Sequence, residues 1–160
     1  MIDSFGDSDP RKTPKHLFWN ASRLDYDKAV RADISKQNYS VCPRHWYIDA
    51  VINCNRCDRE FVFSVDEQRY WYEELGFWVD SRATQCRECR KELRELKMLK
   101  QEYDRDITAG LTRNAGVEQK ERLLLLLMAL ETGGVELLDA MQEKRRVLTK
   151  QIERLRRPNS

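Results

Sequence analysis

Apolar and polar positions follow two different rhythms along this chain. In the first half the apolar residues come in short runs rich in β-formers, and in the second they recur every three or four positions on a charged background. The first rhythm predicts strands and the second amphipathic helices. Trp46-Tyr-Ile48 and Ala50-Val-Ile52 predict a strand, and Glu60-Phe-Val-Phe63 reads as its return partner in a hairpin. Upstream, residues 1–15 are polar, contain Pro10 and Pro14 and lack a period, which predicts a disordered tail. After the apolar patch His16-Leu-Phe-Trp19, Ser22 is placed to cap a short helix through Leu24, Ala29 and Val30. Lys36-Gln-Asn-Tyr-Ser40 has loop chemistry.

Ser64-Val-Asp-Glu67 fits a capping box, so a helix should start there, run through Tyr70, Trp71 and Leu75, and end at Gly76. Phe77-Trp-Val79 then reads as a short strand. Beyond residue 89, Leu93, Leu96, Leu99, Tyr103 and Ile107 mark one apolar stripe of a helix ending before Gly110. A second helix is expected over 117–131. Its block from Leu123 to Met128 is apolar around nearly the whole circumference and wants neighbours on more than one side. Thr132-Gly-Gly134 breaks the chain, and Leu138, Met141, Leu148, Ile152 and Leu155 form the seam of a third helix, interrupted by Arg145. Two helices joined by Gly-Gly should fold back as an αα-hairpin over 117–157.

Between the two rhythms lie Cys54-Asn-Arg-Cys57 and Cys86-Arg-Glu-Cys89. Two such pairs are how a chain builds a closed tetrahedral zinc site, which holds structure together and leaves no position for an activated water. Cys54, Cys57, Cys86 and Cys89 are therefore the candidate ligands of one structural Zn2+. The interval from Cys57 to Cys86 is longer than in a simple ribbon, and the inserted helix accounts for the excess. Cys42 and His45, in Cys-Pro-Arg-His, lack partners to complete a second site, and Cys42 reads as a small buried hydrophobe. Trp71, Tyr72, Phe77 and Trp78 are expected to pack into the core over the metal, because the surrounding acids would repel phosphate.

Asn38-Tyr39, Tyr47-Ile-Asp49, Cys54-x-x-Cys57, Arg59-Glu-Phe-Val-Phe-Ser64, Glu67-Gln68, Tyr70-Trp-Tyr-Glu73 and Cys86-x-x-Cys89-Arg90 resemble the probable zinc-ribbon domain family of bacterial proteins. The resemblance covers roughly residues 36–100. It implies a zinc and the same four cysteine ligands, and it implies no reaction. The expected fold is α+β: a small four-cysteine zinc ribbon, with β-hairpin knuckles and an inserted helix, over residues 16–107, followed by the all-α hairpin.

The net charge of +2 predicts no nucleic-acid footprint, but its distribution is uneven. Residues 58–80 carry seven acids against two bases, and residues 143–157 seven bases against two acids. The opposite fields suit docking, between copies or on a partner. No apolar run approaches the ~20 residues of a membrane span, the N-terminus lacks the order of a secretory signal, and paired cysteines suit a reducing cytoplasm. Glu67, Glu73 and Glu74 are explained by the cap and by helix solvation, and no phosphate loop or nucleophile elbow is present. The expectation is a non-enzyme without a small-molecule substrate. It would bind a protein partner, or itself, through its C-terminal helices; the alternative is a nucleic-acid-binding regulator using Arg87, Arg90, Lys91, Arg94, Lys97 and the basic C-terminus.

Overall fold

The computed structural model describes residues 7–18 and 21–157. The chain forms two compact units, residues 1–89 and 90–160, dividing in the first turn of a long helix where the sequence reading carried the first domain to 107. Among the described residues no helix is long and apolar enough to cross a membrane.

The first unit is built on an antiparallel sheet of order β1-β2-β3, with β1 Arg23–Arg31, β2 Trp46–Asn53 and β3 Glu60–Phe63. β2 is central and buries Tyr47, Ile48, Ala50, Val51 and Ile52, which is why its apolar run is nearly continuous. The helix expected after Ser22 is instead β1. A nine-residue helix has little stability of its own, whereas β2 has a second edge whose backbone groups need partners. β1 supplies them, with a bulge between Asp25 and Val30, and the Ser22 N–H donates to Val51 O (2.8 Å) rather than starting a helix.

The cap at Ser64 forms as expected: its hydroxyl accepts from the Glu67 N–H (3.2 Å), and Asp49 of β2 accepts from the Val65 N–H (2.7 Å). Helix α1, Val65–Arg69, passes into a π-helical turn, Tyr70–Glu74, and Gly76 ends it at φ +65°. The strand expected at Phe77–Val79 reduces to one parallel bridge between Asn38 and Trp78, with the Val79 N–H on Asn38 O (2.9 Å). Of the four aromatics expected in the core, Tyr72 is buried and Trp71 half-buried, packed edge-on to Phe63 and Phe77; Phe77 and Trp78 face solvent. Within the stretch read as a tail, Asp9 caps a 3-10 turn, Pro10–Lys12, and Asp7 pairs with Arg31. His16 and Trp19 carry side chains outside the description.

A cation lies inside this unit. Arg44, 3% exposed, donates to Val79 O (2.8 Å) and Leu17 O (2.5 Å) and lies over the rings of Phe18 and Tyr72. Gln37 clamps its backbone, accepting from the Arg44 N–H (3.0 Å) and donating to Arg44 O (2.9 Å) and the Tyr47 hydroxyl (2.7 Å).

The second unit contains the rest of α2, Arg87–Gly110, with α3, Val117–Thr132, and α4, Asp139–Arg156. α3 and α4 form the expected antiparallel pair, with Glu121 on Arg156 (2.5 Å) and Glu131 on Arg145 (2.8 Å). α2 joins them through Tyr103 and Ile107, so the hairpin is two-thirds of a three-helix core. That third neighbour answers the all-round apolar block: Leu123, Leu126, Leu127 and Leu130 are buried, while Leu125 (64%) and Met128 (46%) remain exposed. The buried Lys120 ammonium donates to Gly110 O (2.7 Å), Thr112 O (2.8 Å) and Gln151 Oε1 (2.9 Å), tying the end of α2 to α3 and α4. Burial holds its pKa below the ordinary lysine value. α2 and α3 approach closely at Gly110, where an added Cβ would lie 2.1 Å from Leu123 Cδ1.

Candidate metal centre

The two cysteine pairs converge at the end of the β2–β3 hairpin. Cys54 follows the last residue of β2, and the chain turns so that the Asp58 N–H reaches Cys54 O (2.9 Å) and the Cys54 N–H reaches Arg59 O (2.9 Å). Closing so tight a turn puts Asp58 at φ +58°, the left-handed region. Aspartate is among the few side chains that tolerate it. Cys86 and Cys89 come from elsewhere in the unit, and the Asn55 N–H on Thr84 O (2.9 Å) fastens that approach to the turn.

The second pair sits on the first turn of α2, which begins at Arg87, rather than on a second hairpin. A helix start has N–H groups without intrahelical acceptors and the positive end of the dipole, so sulfur placed there gains donors. The Cys89 N–H points at Cys86 Sγ (3.5 Å), the Cys86 N–H at Cys54 Sγ (3.3 Å), and Arg59 Nε at Cys57 Sγ (3.4 Å).

All four sulfurs lie within 4.8 Å of one another, with Cys57 and Cys86 Sγ 3.9 Å apart, and none is in a disulfide. A tetrahedron with ~2.3 Å metal–sulfur bonds has edges of about 3.8 Å, so the cluster has the size of a four-thiolate site. Cys54, Cys86 and Cys89 are buried and Cys57 is half-buried, with Phe61 packed alongside. Burial raises the Cys54 thiol, but N–H donors from Cys86, Cys57 and Arg56 outweigh it and bring the group down to about 6. Arg59 lowers Cys57. Burial pushes Cys89 up to about 12, and its sulfur neighbours add to the rise. Four thiolates packed this closely would repel one another, and a bound cation would offset that repulsion.

Among the described residues these cysteines are the only group of three or more His, Cys, Asp or Glu side chains placed to hold a metal. Cys42 and His45 lie outside it: the Cys42 thiol is raised by burial, and His45 Nδ1 is 3.3 Å from Asp7. Glu73, read as helix solvation, accepts from the Asp33 N–H (2.9 Å) and pairs with Arg69 (3.4 Å). The sequence reading quoted Arg59 only as the start of a family motif and gave neither it nor Asp58 a role at the site. An arginine two residues past the second cysteine was the available signal for the first, and nothing local marked the second.

Residues 48–97 match the family model of a probable treble clef domain. That match brings together the hairpin turn, the helix start and all four cysteines. No curated protein and no solved structure matches the chain.

Proposed function

We propose that this protein is a non-catalytic, zinc-stabilised interaction module whose C-terminal helices bind a protein partner or a second copy. The carrying observation is that four cysteine sulfurs gather at tetrahedral spacing, which favours one Zn2+ with every position filled by protein. Bound there, zinc supplies a cross-link between the hairpin turn and α2, and no activated water. Leu125 and Met128, exposed three residues apart on α3, support association through the helices.

Purified protein should contain about one zinc per chain, measured by elemental analysis. Cys54→Ser or Cys89→Ser should lose it, and Cys42→Ser should retain it; equal loss at Cys42 would overturn the ligand set. Leu125→Glu should abolish self-association or partner capture with zinc content unchanged.

The alternative is a nucleic-acid-binding regulator, supported by the exposed bases Arg146, Lys150 and Arg154 on α4. Under it, charge reversal at those three positions abolishes DNA or RNA binding, and affinity falls steeply with salt.

A further inference from the structure

The exposure of Phe77 and Trp78 gives the first unit an unexpected edge. It is made by two segments, 33–41 and 70–80, fastened at four points. The Asp33 N–H donates to Glu73 (2.9 Å), Asn38 Nδ2 donates to Gly76 O (2.7 Å), Asn38 bridges to Trp78, and Ser40 Oγ lies 3.5 Å from Asp80. This fixed backbone presents Ile34, Tyr39, Val41, Tyr70, Leu75 and Trp78 to solvent, with Val41 86% and Trp78 55% exposed. Apolar side chains gathered on a rigid edge mark an association surface, and Trp and Tyr are its usual anchors.

Charge selects the occupant. The two segments carry four carboxylates, Asp33, Glu73, Glu74 and Asp80, against Lys36 alone, a field that repels phosphate and attracts cations. Aromatic faces add affinity for guanidinium and ammonium groups. The complement lies on this chain: Arg146, Lys150 and Arg154 are exposed on the side of α4 opposite the buried Met141, Leu148 and Ile152, and the exposed Arg157 follows just past its end. At 1.5 Å per residue the helical part of this basic stripe is about 12 Å long.

We propose that the aromatic, acid-rimmed edge of one copy receives the basic outer face of α4 from a second copy, with its arginine and lysine heads over the rings of Tyr39 and Trp78. This rests on the reading of the C-terminal helices as an interaction surface and names what they bind.

The test uses two variants of the full chain. Tyr39→Ser with Trp78→Ser removes the edge, and Lys150→Glu with Arg154→Glu removes the stripe. The edge residues are surface-exposed and the stripe residues solvent-facing, so zinc content and far-ultraviolet circular dichroism should stay at wild-type values in both. Sedimentation velocity should find wild-type self-association, weakened by salt, and about thirtyfold or greater loss in each variant alone. Mixing the two variants should restore a 1:1 complex, because one contributes an intact edge and the other an intact stripe. A wild-type chain that stays monomeric, association untouched by either variant, or a mixture that stays monomeric would each overturn the proposal. If Leu125→Glu abolishes association while the edge and stripe variants leave it intact, this docking fails while the helices remain the interaction surface. If the stripe variant loses only binding to a DNA duplex probe, the stripe belongs to nucleic acid and the docking also fails.

Discussion

The core of residues 90–160 is a stack of leucines from three helices, closed by Tyr103, Ile107 and Met141, with Lys120 its only buried charge among the described residues. The core of residues 1–89 is a three-stranded sheet and one short helix over an interior that also shelters Arg44, Gln37 and Gln68, with four thiols at one end. The difference shows what each unit relies on. Long amphipathic helices bury enough apolar surface to hold themselves together. A small sheet interrupted by polar groups buries less, and a metal cross-link makes up the deficit.

All four tryptophans lie in the first unit, so their fluorescence reports that unit, while far-ultraviolet circular dichroism is dominated by α2, α3 and α4. The largest expected effect is from the metal. Chelation, or Cys54→Ser, removes a contribution on the order of 10 kcal/mol. It should abolish the cooperative tryptophan transition while most of the helical signal survives. Simultaneous loss of both signals would mean that the second unit depends on the first.

Next comes Lys120→Met, which leaves the carbonyls of Gly110 and Thr112 and the Gln151 amide without their shared donor. It should cost about 2–4 kcal/mol in the helical transition and leave the tryptophan transition in place. The same residue has a pH signature. Because the folded pKa is lowered, the unfolded chain binds more protons between that lowered value and the ordinary one near ~10.4. Helical stability should therefore rise with pH across that window and fall back as pH drops through the folded pKa. Denaturant titrations at several alkaline pH values should find this slope in wild type and not in Lys120→Met. The smallest effect is Ser64→Ala, expected to cost about 1 kcal/mol in the tryptophan transition alone. A neutral result would mean that Asp49 suffices to start α1.

The same contrast governs how much could be read from the sequence. α3 was expected over 117–131 and spans Val117–Thr132, because a leucine period is a local signal. The cysteine pairs fixed the site's members by spacing alone. β1 was misread because its residues carry charge on both faces, and its pairing is decided by the vacant edge of β2, fifteen to twenty-eight residues away. Phe77 and Trp78 read as core because aromatics near a metal usually are. Gly76 and the Asn38 bridge turn that segment along the surface instead. Arg44, in a loop beside a Cys-Pro step, carries no local mark of burial. Its carbonyl partners, Leu17 and Val79, are 27 and 35 residues away.

That arginine bears on how the first unit assembles. A guanidinium stripped of water without its carbonyls is costly, and the carbonyls that receive it belong to segments near opposite ends of the unit. A half-assembled intermediate, with the sheet paired but residues 17 and 79 not yet in place, leaves the cation either hydrated in the gap or dehydrated and unsatisfied. Neither state can be packed as the native one is. Arg44 thus penalises partial order and favours docking of the N-terminal segment, the Gln37 loop and the chain after Gly76 in one concerted step. A purely apolar side chain at that position would let the same segments join one at a time.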